Sequence, residues 1–99
     1  MTLSESQKKY LRGRGHDLKP VITVGDAGLS ASLMAEYEST IAHHELIKVR
    51  LRVGDRSARN AIIDELCASS SAELIQRVGN IALIYRENAN EKKILIPKR

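Results

Sequence analysis

The sequence predicts an α/β domain, ordered α-β-α-β-α-β-β, with a four-stranded mixed sheet. Three observations carry this. Apolar runs that are β-branched or alternate with a period of two recur at 21–24, 46–53, 72–78 and 81–86. Segments with helical apolar spacing lie between the first three of these runs. Gly79-Asn80 then separates the last two runs by two residues, the length of a tight hairpin.

The first helix opens at Ser4, with Gln7 three residues later as a capping box. Leu3, Gln7, Tyr10 and Leu11 lie near one stripe, and Lys8, Lys9 and Arg12 lie off it. Gly13 and Gly15 end the helix. His16 to Pro20 is a connector, and Val21-Ile22-Thr23-Val24 is a short buried strand. Gly25-Asp26-Ala27-Gly28 forms a tight loop, and Ser30 caps a second helix with Leu33, Tyr37 and Ile41 inward and Met34 widening that face. His43-His44-Glu45 closes it.

From Leu46 to Val53 the pattern alternates. Ile47, Val49, Leu51 and Val53 face one way, and Lys48, Arg50 and Arg52 face the other. Gly54-Asp55 breaks this strand. Asp55 or Ser57 caps a third helix, with Ala58, Ile62 and Leu66 inward, that ends in Ser69-Ser70-Ser71. In the hairpin, Gly79 suits the first loop position of a type II′ turn. That register pairs Val78 with Ile81, Gln76 with Leu83 and Leu74 with Tyr85. Leu74, Val78, Ile81, Leu83 and Tyr85 become a core face, and Glu73–Arg86 and Arg77–Ala82 pairs lie on an exposed one. Strands joined through single helices favour parallel pairing, and the two crossover helices should cover one face of the sheet. The packing of the first helix does not follow from the pattern. The tail from Glu87 is polar and basic around Ile94-Leu95-Ile96.

At 99 residues the chain fits one domain, taken as 1–99 with its core at about 3–97. With three Tyr and no Trp or Phe, the core must be aliphatic. No apolar run reaches the roughly 18 residues of a membrane span, and the N-terminus lacks the basic-then-apolar order of a signal peptide. The single Cys67 cannot form an internal disulfide and reads as a packed thiol, so a cytoplasmic setting is expected.

The net charge is +4, and it is segregated. Residues 1–20 carry +3, residues 21–45 carry −4, residues 46–83 carry +2 and residues 84–99 carry +3. Segregation is what a basic binding face needs, although an uneven solvated surface has the same signature.

Two features point to a polyanion. Lys48, Arg50 and Arg52 recur at period two, roughly 6–7 Å apart along the strand, where like charges repel unless a polyanion relieves them. The Gly25-Asp26-Ala27-Gly28 loop lies between a strand and a helix N-terminus, so it reads as a backbone-approach loop for phosphate or as a plain turn; Asp26 puts a negative charge there and argues against phosphate. Lys8, Lys9, Arg12 and Arg14, with Lys19 nearby, add a basic set whose role depends on lying beside the stripe or the loop.

Enzymatic patterns are missing. His43 and His44 are adjacent and diverge, Glu36 and Glu38 do not share a helical face, and no P-loop, dinucleotide or nucleophile-elbow motif occurs. No catalytic residue, metal or cofactor is expected.

Four stretches together resemble a known family: Leu18-Lys19-Pro20; Val24-Gly25-Asp26-Ala27-Gly28-Leu29-Ser30; His43-His44-Glu45-Leu46-Ile47-Lys48-Val49; and Val78-Gly79-Asn80-Ile81-Ala82-Leu83-Ile84-Tyr85-Arg86. They look like the CRM domain (chloroplast RNA splicing and ribosome maturation), in its bacterial stand-alone YhbY-like form. The resemblance runs from about Leu3 to Pro97. It implies a compact α/β fold similar to the C-terminal domain of translation initiation factor three. It further implies RNA binding and association with precursors of the large ribosomal subunit; plant relatives act in group II intron splicing. The family's GxxG loop falls on Gly25 to Gly28, and its basic surface would include Lys19, Lys48 and Arg50. Two positions depart from the pattern: Asp26, where the loop often carries a basic or polar residue, and Asp17, where Pro often precedes the Leu.

The expectation is therefore a monomeric RNA-binding protein of ribosome assembly, with no membrane partner and no small-molecule substrate. The alternative is a protein-interaction module that docks on a ribosomal protein, with the acidic Glu36 and Glu38 segment facing a basic partner.

Overall fold

The computed structural model describes residues 3–88, 90, 92 and 94–97. Lys93, Lys98 and Arg99, counted above in the basic tail, lie outside them. The elements are α1 (Glu5–Gly15), β1 (Pro20–Val24), α2 (Ala31–His44), β2 (Leu46–Leu51), α3 (Arg56–Ser70), β3 (Glu73–Val78) and β4 (Ile81–Tyr85). Caps form where the sequence places them. Ser4 Oγ accepts from the Gln7 N–H while Gln7 Oε1 accepts from the Ser4 N–H, Ser30 Oγ accepts from the Leu33 N–H, and Asp55 accepts from the Ser57 and Ala58 N–H groups. Each cap satisfies a donor the helix itself leaves open.

The sheet order is β1-β2-β4-β3. β1 and β2 are parallel neighbours, as the single-helix connection predicts. β3 also runs parallel to β2, but β4 inserts between them and pairs antiparallel with both. Pro20 opens β1 on a sheet edge, where its missing N–H costs no ladder bond. β2 stops at Leu51 rather than Val53, although the Arg52 N–H still reaches the Val24 carbonyl at 2.7 Å.

Both faces of the sheet carry helices. α2 and α3 pack on one face through Tyr37, Ile41, Ile63 and Leu66, against Ile22, Val24, Ile47, Val49, Leu51, Ala82 and Ile84. Tyr37 Oη shares a 2.8 Å hydrogen bond with Ser70 Oγ and so ties the two helices together. α1 packs on the opposite face: Leu3, Leu11, Leu46, Ile75, Leu83, Tyr85 and Ile94 form a second core. Central strand β4 is thus buried on both sides, and its Leu83 and Ile84 side chains each contribute about 1.5–3 kcal/mol.

This corrects the hairpin reading. The register holds from Val78–Ile81 to Gln76–Leu83, and Gly79 takes φ +59 as a II′ turn requires. It then shifts between Leu74 and Gln76, so Leu74 pairs with Ile84 and Glu73 with Tyr85. The bulge turns Ile75 into the α1-side core and leaves Leu74 at the surface. Val78 is 64% exposed and Ala82 is fully buried, the reverse of the expected faces. Arg86 does not pair with Glu73; it forms an ion pair with Glu38 and donates to the Ser70 carbonyl. In α3, Ile63 points inward and Ile62 packs from the side.

The join between α2 and β2 is built on Glu45. It sits at φ +65 and is fully buried. Its carboxylate accepts the Asn88 N–H at 2.6 Å and the Ile94 N–H at 2.8 Å. Those bonds fold the C-terminal segment back over the α1-side core, where Gln7 Nε2 of α1 donates to the Pro97 carbonyl. No helix among the described residues is long and apolar enough to cross a membrane.

Candidate nucleic-acid interface

On β2, alternation assigns Leu46, Lys48 and Arg50 to the α1 side of the sheet. α1 covers only part of that side. Leu46 is buried beneath it, Lys48 is half-buried at its edge, and Arg50 is exposed beyond it. At this edge lies a concave groove of about 640 Å³. Lys9, Arg12 and His16 form the wall from α1 and its C-terminal turn, Lys48 rises from β2, and Gln76, Val78, Ile81 and Leu83 come from the hairpin strands.

Helix α1 can approach the sheet this closely because of Gly15. A Cβ there would meet Leu83 Cδ1 and Cδ2 at 2.7 Å, closer than real contacts allow. Lys48 Nζ donates to the His16 carbonyl at 3.4 Å, at the negative end of the α1 dipole. One cation therefore both lines the groove and steadies the helix that walls it.

Arg50 and Arg52 continue from Lys48 toward one end of the sheet. There the Arg52 N–H bonds the Val24 carbonyl, next to the Gly25–Gly28 loop, and the Leu51 N–H bonds the Asn80 carbonyl of the hairpin turn at 2.7 Å. In the loop, the Gly28 N–H donates to the Gly25 carbonyl at 3.0 Å, and Gly28 takes φ +76. Gly25 has neither a positive φ nor a neighbour that a Cβ would strike, so internal packing does not demand glycine there. Its bare backbone leaves room for something outside. Asp26 and Ala27 are exposed at the tip.

The predicted residues thus divide. Lys9, Arg12 and Lys48 share one groove. Arg50 and Arg52 lie outside its lining, farther along the chain from Lys48, and the Arg52 backbone meets Val24 beside the loop of Gly25, Asp26, Ala27 and Gly28. Lys19 is exposed immediately before Pro20, which pairs with Lys48. Arg14 turns elsewhere: its Nη1 donates to Tyr10 Oη, and it borders a separate shallow depression with Ser6 and Gly13. Lys8 is half-buried and does not line the groove. The sequence reading missed His16, Gln76 and the open, apolar character of Val78 and Ile81. The pairing of Gln76 with Leu83 was the one signal that they share a face.

Remote groups have other roles. Burial first, then Asp64 and Glu73, pushes the Cys67 thiol up to about 11. Burial first, then Glu45 and Glu87, pushes the Tyr85 phenol up to about 12. Both side chains are protonated packing groups near neutral pH. Among the described residues, no three His, Cys, Asp or Glu side chains cluster as a metal site.

Residues 3–86 match the family model of the CRS1/YhbY (CRM) domain. The chain belongs to this family. A probable RNA-binding protein of Pseudomonas aeruginosa is 45% identical over 95 residues, covering 96% of this chain and 91% of the relative. An RNA-binding protein of Haemophilus influenzae is 39% identical over 98 residues, covering 99% and 98%. The solution structure of a hypothetical protein from Staphylococcus aureus superimposes with a TM-score of 0.82 at 29% identity, over 97% of this chain and all of the other. The CRM fold expected from the four sequence stretches is therefore the fold this chain adopts, with three helices and a four-stranded mixed sheet.

Proposed function

We propose that this CRM-domain protein binds RNA of large-ribosomal-subunit precursors and acts in ribosome assembly, as a monomer in the cytoplasm. The observation that carries the RNA reading is the convergence of Lys9 and Arg12 from α1 with Lys48 from β2 on one groove, with Arg50 and Arg52 leading from it to the glycine loop. Cations from separate elements on one concave surface match a folded phosphate backbone better than a scattered solvated surface does. The naming of relatives as RNA-binding proteins supports the same ligand. The ribosomal assignment rests on the resemblance of the chain to the bacterial stand-alone family.

Phosphate contacts supply affinity through counterion release, so binding weakens steeply with salt. Asp26 at the tip of the glycine loop limits that loop to backbone approach and leaves the neutralising charge to Arg50 and Arg52. The protein-docking alternative has less support, because Glu38 is engaged by Arg86 and only Glu36 of the pair is left without that partner.

Sucrose-gradient sedimentation of the tagged protein from lysate, at low and high salt, tests the proposal. Comigration with large-subunit precursors at low salt, lost at high salt and on nuclease treatment, is the expected result. Protein that stays at the top of the gradient under both conditions contradicts the ribosomal assignment, and comigration that survives nuclease favours docking on a protein.

A further inference from the structure

The groove is not uniformly basic. Its rim carries Lys9, Arg12 and Lys48, but its floor is apolar: Leu83 is buried at the base, Ile81 is half-buried, and Val78 stands 64% exposed. Gln76 is the exposed amide beside them, opposite Leu83 in the β3–β4 register. A surface made only to follow a phosphate backbone has no use for an open Val and Ile floor, because phosphates and ribose hydroxyls gain nothing from apolar contact. A paired stem also keeps its base faces stacked inside, where the floor cannot reach them. An unstacked base offers what the floor lacks: a flat apolar face, a hydrogen-bonding edge and a phosphate on either side.

We infer that the groove holds a single unpaired nucleotide of RNA, its base on Val78, Ile81 and Leu83, its edge read by the Gln76 amide, and its flanking phosphates on Lys9, Arg12 and Lys48. The volume of about 640 Å³ is that of a small-ligand site and takes one nucleotide, whereas a duplex is too wide to enter. The Gln76 amide offers both a donor and an acceptor, so it can engage the edge of any base. The inference rests on the RNA reading of the same groove and adds the class of RNA element: a bulge, loop or splayed end beside a stem. The basic track through Arg50 and Arg52 would hold the neighbouring backbone.

The test uses the full chain and three RNA stems with equal numbers of phosphates, measured by fluorescence anisotropy at fixed salt. One is fully paired, one carries a one-nucleotide bulge (each of the four bases in turn), and one carries an abasic ribose at the bulge. The expected result is about tenfold tighter binding of at least one bulged stem than of the abasic stem, from the buried base face and its edge contact. Gln76→Ala and Val78→Ser, both at exposed positions, should bring the affinity for the bulged stem down to that for the abasic stem. Equal binding of bulged, abasic and paired stems overturns the inference and leaves RNA binding standing. Binding of none of the stems overturns both.

Discussion

Truncating Glu45 to Ala should destabilise the protein more than any other single change to a charged side chain, although Glu45 does not line the groove that carries the function. Its carboxylate is fully buried and accepts two backbone N–H groups, from Asn88 at 2.6 Å and Ile94 at 2.8 Å. Charge-assisted bonds of this kind contribute about 1.5–3 kcal/mol each. Removal of both also frees Ile94, now only 7% exposed, from the α1-side core. Partial relief comes as the detached segment hydrates, so the expected loss is about 3–4 kcal/mol, a large share of the 5–15 kcal/mol typical of a domain. At roughly 4–8 °C per kcal/mol the midpoint should fall by about 12–32 °C. Glu45→Gln keeps one accepting oxygen and should lose about half as much. Glu45→Gly should be less unstable than Ala by up to about 1 kcal/mol, because φ +65 suits glycine. Urea unfolding gives the free energies, and amide exchange at Ile94 reports the docking of the segment. An Ala variant within about 1 kcal/mol of the parent, with the Ile94 amide still protected, would refute the role given to this carboxylate.

Three further outcomes follow from the same geometry. Lys9→Ala and Arg12→Ala should each flatten the log-affinity against log-salt slope for RNA by about 0.7–0.9, whereas Arg14→Ala, whose side chain meets Tyr10 outside the groove, should leave it unchanged. Gly15→Val forces a side chain into Leu83 and should cost about 2–3 kcal/mol and weaken RNA binding, as α1 lifts from the sheet; unchanged melting and affinity would show that the close approach is not required. Alkali should destabilise the fold. Burial pushes the Cys67 thiol up to about 11 from its ordinary 9.0, and the Tyr85 phenol up to about 12 from 10.0, so between those values the unfolded chain holds fewer protons. Stability from the thiol is then complete below pH 9 and declines towards 11, with the phenol following between 10 and 12. A pH series of urea midpoints flat from pH 8 to 11 would contradict this.

Periodicity was informative wherever one face of an element meets water. The caps at Ser4, Ser30 and Asp55, the α2 stripe of Tyr37 and Ile41, and the alternation of β2 all appear as the sequence predicts. The failures have separate causes. β4 reads Ile81-Ala82-Leu83-Ile84-Tyr85, and a run buried on both faces has no alternation to reveal which side is which. Its unbroken apolar character was the signal that something covered its second face, and that something is α1. The bulge at Ile75 leaves no trace in the residues, since Leu74 and Ile75 are equally apolar. Glu45 could not be recognised as a buried clasp because its partners are backbone groups more than 40 positions away. The site was half legible: Lys48, Arg50 and Arg52 declared themselves by spacing, whereas the union of Lys48 with Lys9 and Arg12 depends on where α1 docks, a tertiary fact set by Gly15 against Leu83.

The cationic track on the α1 side of the sheet should carry most of the RNA affinity. Its most direct test is the triple substitution Lys48→Glu, Arg50→Glu and Arg52→Glu, with folding verified by thermal melting and RNA affinity measured across a salt series. The expected outcome is a folded protein whose low-salt affinity falls by about 100-fold or more, with a slope flattened by roughly two units or more. A folded triple variant with unchanged affinity and slope would contradict it.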